Sequence, residues 1–175
     1  MKDYLCILML LLMSYRAVSA DDQGRGRLNM QGSIMDAACA IDVGSQRQLI
    51  EIEAISIGTM IRDSESFAIP FNIKLSNCSL TPDLQPRPDW SSFRITFDGP
   101  TTGDGLFSVN GGAKGIGLKI SDKEGIVAIP GQAMQPQSLK AGSMLLGYKL
   151  RLVGDKSRLE AGEYDAFIRF KIDYF

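Results

Sequence analysis

Gly162-Glu-Tyr-Asp-Ala-Phe-Ile-Arg-Phe-Lys-Ile-Asp-Tyr-Phe175 is the stretch that decides the fold. Successive side chains of a strand point to opposite faces. One face here carries Gly162, Tyr164, Ala166, Ile168, Phe170, Ile172 and Tyr174; the other carries Glu163, Asp165, Phe167, Arg169, Lys171, Asp173 and Phe175. The expectation is a single long strand reaching the end of the sequence. A strand this apolar on one face requires a neighbour at each edge. No sequence follows to supply the second, so something else is expected to cover that edge. Near the other end stands a mirror image, a strand-like segment from Gly24 to Ile34 that precedes the first cysteine of the mature part.

Between these ends the apolar period is two, as in half-buried strands, and never 3.6. Leu28, Met30, Gly32 and Ile34 alternate with Arg27, Asn29, Gln31 and Ser33; Ile50, Ile52 and Ala54 alternate with Glu51 and Glu53; Phe71, Ile73 and Leu75 alternate with Asn72, Lys74 and Ser76. Phe93 to Phe97, Ile116 to Ile120 and Leu146 to Leu152 continue the rhythm. Asp98-Gly99-Pro100, Asn110-Gly111-Gly112, Pro130-Gly131 and Gly154-Asp155 punctuate it as turns, and Thr81 to Trp90 is the one long loop. Short strands, turn signals and no long amphipathic helix predict an all-β, antiparallel sandwich.

Composition removes whole classes of function. The 175 residues contain no histidine, which excludes Ser-His-Asp triads, Cys-His nucleophiles and His-ligated zinc. A net charge of -1 offers no excess of cations for a row of phosphates, so no nucleic acid is expected as a partner. Gly111 to Gly117 lacks the Gly-Lys-[Ser/Thr] ending of a phosphate loop and is read as a glycine-rich turn. No cofactor, metal, catalytic residue or small-molecule substrate is expected.

Residues 1–20 read as a secretory signal: Lys2 precedes an apolar run from Leu5 to Met13, and Val18-Ser19-Ala20 closes the segment with small residues. That run is about half the length needed to span a bilayer. Cleavage would also remove Cys6, leaving Cys39 and Cys78 as a pair. One disulfide between them is the expectation in an oxidising compartment, with two buried free thiols as the alternative.

The chain resembles pilin subunits of the chaperone-usher pathway of Gram-negative bacteria. The residues that carry the resemblance are Gly32 to Ile41 around the first cysteine, Pro70 to Cys78 around the second, Phe93 to Gly99, Gly115 to Asp122, and the terminal strand with Gly162 fourteenth from its end and Tyr174 penultimate. The resemblance implies an incomplete immunoglobulin-like sandwich lacking its final strand, completed in trans by a donor strand. A periplasmic chaperone lends one first, and at the outer-membrane usher the N-terminal extension of a neighbouring pilin subunit replaces it. Residues 21–31 would be this chain's own donor extension and 32–175 its pilin domain. Leu28 and Met30 would be donor plugs, with Gly26 and Gly32 in the same segment. Gly162, Tyr164, Ala166, Ile168, Phe170, Ile172 and Tyr174 would line the acceptor groove, and basic chaperone residues would hold the Phe175 carboxylate. The product would travel through the periplasm to a fimbrium on the outer surface.

Within the family the reading favours a minor subunit. The runner-up is a terminator at the pilus base, which the stretches Ala113 to Asp122 and Leu159 to Tyr164 resemble. A rival from another class is a secreted β-sandwich hydrolase using two carboxylates among Asp98, Asp104, Asp122 and Glu163. A third, a carbohydrate-binding tip adhesin, would need an additional receptor domain for which the mature chain has no room.

Overall fold

The computed structural model describes residues 36–83 and 86–175. The signal sequence, the donor residues Gly26, Leu28, Met30 and Gly32, and the boundaries at 20 and 31 lie outside the described residues.

The strands form where alternation places apolar side chains on one face. A five-stranded antiparallel sheet is ordered β1 (Ala40–Ile41), β2 (Ile69–Cys78), β8 (Gly142–Gly154), β6 (Ile116–Asp122), β4 (Phe107–Ser108). Ile73 and Leu75 of β2, Leu118 and Ile120 of β6, and Leu146, Tyr148, Leu150 and Leu152 of β8 are buried on its inner face. A second sheet is ordered β10 (Arg169–Tyr174), β3 (Ser92–Asp98), β7 (Gln137–Ser138). The sheets meet through aromatic rings. Phe97 of β3 lies 5.0 Å from Tyr148 and 6.3 Å from Phe71, edge-on to both, an arrangement that aromatic quadrupoles favour. A short pair, β5 (Asn110–Gly111) with β9 (Tyr164–Asp165), completes the described strands.

The terminal stretch is therefore two strands. Tyr164–Asp165 pairs with β5, Arg169–Tyr174 pairs with β3, and 166–168 belong to neither. The expected single long strand is corrected on this point, although the even-numbered side chains from Tyr164 to Tyr174 all face the core as the alternation requires. The Asn110-Gly111-Gly112 punctuation is likewise partly strand.

The expected strand at Ile50 to Ala54 has no ladder partner among the described residues, so it too is corrected. Ile50 and Ile52 are half-buried as predicted, but Ala54 is exposed and Ile55 turns inward instead. The chain reaches this stretch along the edge of β2. Beyond β1 the Asp42 N–H donates to the Lys74 carbonyl (2.9 Å), the Ser45 hydroxyl accepts from the Lys74 N–H (2.9 Å), and the Gln48 amide donates to the Asn72 carbonyl (2.7 Å). Side chains thus stand in for a ladder strand. Two short helices that alternation could not signal frame the segment: α1 (Val43–Gln46), capped by Asp42, and α2 (Ile57–Asp63), capped by Ser56 and stopped where Ser64 turns left-handed.

The disulfide joins Cys39 to Cys78, with Cα atoms 4.1 Å apart, and ties the chain just before β1 to the end of β2. On the outer face of the large sheet, Lys119 and Arg151 sit directly opposite each other on β6 and β8. Glu65 relieves their repulsion, 2.7 Å from the lysine ammonium and 2.6 Å from the guanidinium. The hydrogen bond from Lys119 holds the Glu65 carboxyl below the usual carboxylate range. A carboxyl depressed in the folded state stabilises above its unfolded pKa, and that stabilisation disappears as pH falls through the folded value. The melting temperature is expected to drop more between pH 7 and pH 3 in the wild type than in Glu65→Gln; parallel melting curves for the two proteins would contradict this role.

The described residues form an all-β, immunoglobulin-like sandwich short of one strand.

Candidate functional site

The second sheet is covered at one edge only. Beyond β3 the chain from 131 to 139 closes the ladder: the N–H groups of Gly131, Met134 and Leu139 donate to the carbonyls of Phe97, Ile95 and Ser91 at 2.8, 2.8 and 2.9 Å. The far edge of β10 has no main-chain partner among the described residues. Burial follows the same asymmetry. Phe170, Ile172 and Tyr174 stand opposite Phe97, Ile95 and Phe93 in the ladder. The three β3 side chains are at most 2% exposed, while their three β10 partners remain half-buried. An inner face of equal hydrophobicity is fully covered on one strand and partly covered on the next.

A second stretch has the same character. The main chain from 49 to 55 makes no hydrogen bond to any described residue, and its Ile50, Ile52 and Ile55 rest half-buried on the same core as β10. Phe71 of β2 is half-buried as well, and the rings of Phe71 and Phe170 each lie 6.3 Å from Phe97. The far edge of β10 and the 49–55 stretch therefore both carry main-chain groups without a hydrogen-bond partner among the described residues, beside incompletely buried apolar side chains. Unpaired edges of this kind are templates for an added strand.

The residues expected to line the acceptor side divide into three groups. Tyr164, Ala166, Ile168, Phe170, Ile172 and Tyr174 lie half-buried against the core in a row. Burial pushes the Tyr164 and Tyr174 hydroxyls up from the usual phenol range, so both stay neutral. Gly162 lies just before β9, at a crossing of two chain segments. A Cβ there would sit 2.5 Å from the Ala113 nitrogen and 2.9 Å from the Gly112 Cα. Gly111, at φ 119°, occupies the facing position of the same crossing, where a Cβ would collide with the Glu163 carbonyl. Gly162 is thus fixed by a close backbone approach. Gly162→Ala is expected to lower stability by about 2 kcal/mol, as overpacking does, in urea unfolding of the strand-complemented protein; an unchanged midpoint would contradict the crossing.

Phe175 is exposed, with the Arg94 guanidinium 5.0 Å above its ring. A terminal oxygen of Phe175 accepts from the N–H groups of Ser91 (2.7 Å) and Ser92 (3.1 Å).

Three of the four carboxylates of the hydrolase alternative have separate local roles, and the fourth, Glu163, is exposed. Asp98 pairs with Arg169 at 3.0 Å, Asp104 with Lys156 at 3.4 Å, and Asp122 accepts from the Ile126 N–H at 2.7 Å. The Glu163 carbonyl receives the Gly112 N–H at 2.9 Å, and its side chain is exposed. Among the described residues, no group of three or more Asp, Glu, Cys or His could hold a metal ion. Sequence reasoning missed the contributions of Ile55 and Phe71 because it read Ile50 to Ala54 as a paired strand and Phe71 as ordinary core.

Comparison with known proteins accords with this geometry. Residues 28–174 match the sequence signature of the family described as Fimbrial protein. The PAP fimbrial minor pilin protein of Escherichia coli is 34% identical over 155 residues, covering 85% of this chain and 77% of the relative. The Fimbria A protein of Serratia marcescens is 31% identical over 160 residues, covering 89% and 88% respectively. Among solved structures, the P pilus rod subunit PapA superposes with a TM-score of 0.69 at 20% identity, over 79% of this chain and 100% of that one. A chain from the structure of a chaperone-usher pilus gives 0.70 at 21%, over 87% and 97%. At these identities the two structures bear on the fold.

Proposed function

The chain belongs to the fimbrial protein family, and from that membership we propose that it is a minor structural subunit of a chaperone-usher fimbria, assembled by donor-strand complementation and exchange. The observation that carries this reading is the open edge of β10, whose inward side chains stay half-buried while their β3 partners are fully buried. A donor strand lying along that edge pairs with its main chain and covers Phe170, Ile172 and Tyr174. Main-chain bonds give affinity, and alternate side chains set register. The work is strand exchange without bond chemistry.

The partners on this reading are a periplasmic chaperone, the outer-membrane usher and neighbouring pilins. The route is export by residues 1–20, passage through the periplasm and display on the cell surface. Relatives named as fimbrial proteins of Escherichia coli and Serratia marcescens support that placement. Residues 21–31, with Leu28 and Met30 turned inward and Gly26 and Gly32 beside them, serve as this chain's donor to the subunit before it.

The test is to incubate the chaperone-bound protein with a peptide copying a pilin N-terminal extension. Displacement of the chaperone is the expected result. Persistent refusal by an otherwise folded complex would overturn the chain-extending role and assign a terminator at the base.

A further inference from the structure

The β5–β9 crossing holds a reactive pair that strand assembly does not use. Asparagine occurs at positions 29, 72, 77 and 110, and of these only Asn110 stands before a glycine. An asparagine carboxamide lies within reach of the main-chain nitrogen of the next residue, and a side chain on that residue hinders their closure into a ring. Ile73 and Cys78 supply that hindrance after Asn72 and Asn77. Gly111 supplies none, and at φ 119° it holds a conformation that is open to glycine and strained for other residues.

The fold leaves both reacting groups free. Asn110 and Gly111 are exposed, and the Asn110 carboxamide has no hydrogen-bond partner among the described residues. In an antiparallel ladder, opposed residues alternate between pairs that exchange main-chain bonds and pairs that do not. The Gly112 N–H donates to the Glu163 carbonyl at 2.9 Å. The adjoining Gly111–Tyr164 pair is therefore a non-bonded one, and the Gly111 N–H turns away from β9. Asn110 itself stands opposite Asp165, which is exposed and has no ion pair among the described residues.

We propose that Asn110 is a site of spontaneous self-modification. The Gly111 nitrogen gives up its proton and attacks the side-chain carbonyl carbon of Asn110. The new C–N bond closes a succinimide, and the carboxamide nitrogen leaves as ammonia, carrying that proton away. Water then adds to one of the two ring carbonyls and breaks a ring C–N bond, which leaves aspartate or isoaspartate at position 110. Either product sets a carboxylate opposite Asp165, where like charges on facing strands destabilise the pair. Isoaspartate also lengthens the main chain by one carbon, which disturbs the ladder. Because ammonia is lost, the change runs one way, and the β5–β9 pair loosens as the molecule ages.

The experiment holds the native strand-complemented protein at mildly alkaline pH in heavy-oxygen water and maps its peptides by mass spectrometry. The expected result is a mixture of aspartate and isoaspartate accumulating at position 110, each with one heavy oxygen, while Asn72 and Asn77 stay intact. Asn110→Ser should give no such product. Loss of the amide only in urea-unfolded protein would overturn the proposal, as would equal loss at Asn72 or Asn77, or aspartate without isoaspartate. A second measurement tests the loosening. Asn110→Asp is expected to melt about 2 °C below Asn110→Ser, the effect of one like-charge cross-strand pair, and adding Asp165→Asn to both should remove the difference. Equal melting of Asn110→Asp and Asn110→Ser would overturn the loosening.

Discussion

Ile172→Asp is expected to abolish recovery of the chaperone-bound subunit. Ile172 stands opposite Ile95, which is 1% exposed, in the β10–β3 ladder, so its side chain points at the core with no freedom to turn outward. A carboxylate there is desolvated against apolar neighbours without a partner, a penalty of several kcal/mol. It also sits on the surface that the donor must cover. Lys171→Asp provides the control: Lys171 is exposed on the opposite face, so the same charge one residue earlier should leave the yield nearly unchanged. Co-purification from periplasmic extracts checks both. An undiminished yield of Ile172→Asp would contradict the assigned face.

Cys39→Ser is expected to remove about 4 kcal/mol of stability, the loop-entropy value for closing 39 residues. Single domains commonly hold only about 5–15 kcal/mol in total, so the loss takes a large share. Both cysteines are 6% exposed, and the bridge joins the entrance of β1 to the end of β2, so its removal frees the segment that leads to 49–55. Urea unfolding of the strand-complemented protein under oxidising and reducing conditions measures it. Reduction should reproduce the serine variant. A wild type in which both thiols react before unfolding would contradict the pairing.

Strands were legible where side-chain alternation and ladder partners coincide. Phe93, Ile95 and Phe97 read as a buried face, and they are one. Ile50 and Ile52 carry the same alternation but lack a neighbour, because period reports which face of an extended chain is apolar and says nothing about what lies at its edge. The same limit explains the terminal stretch. Alternation persists through 166–168, yet Tyr164–Asp165 turns to β5 while Arg169–Tyr174 follows β3. The helices at Val43–Gln46 and Ile57–Asp63 are too short to show a 3.6 period, and only the capping residues Asp42 and Ser56 announce them. The apolar row of the candidate site was legible from Tyr164 to Tyr174. The half-buried 49–55 stretch, and the contact of Phe71 with Phe97, required the tertiary fold. Gly162 needed it too, because a close backbone crossing leaves no mark in sequence beyond the glycine itself.

Thermal unfolding of the mature chain, alone and with its chaperone at equal concentration, tests most directly whether the sandwich needs a strand from outside. The expected result is a lone chain that aggregates or polymerises without a reversible transition, and a soluble, cooperatively melting complex once the chaperone is present. A solitary monomer that refolds reversibly, melts cooperatively at high temperature and is indifferent to the chaperone would contradict it.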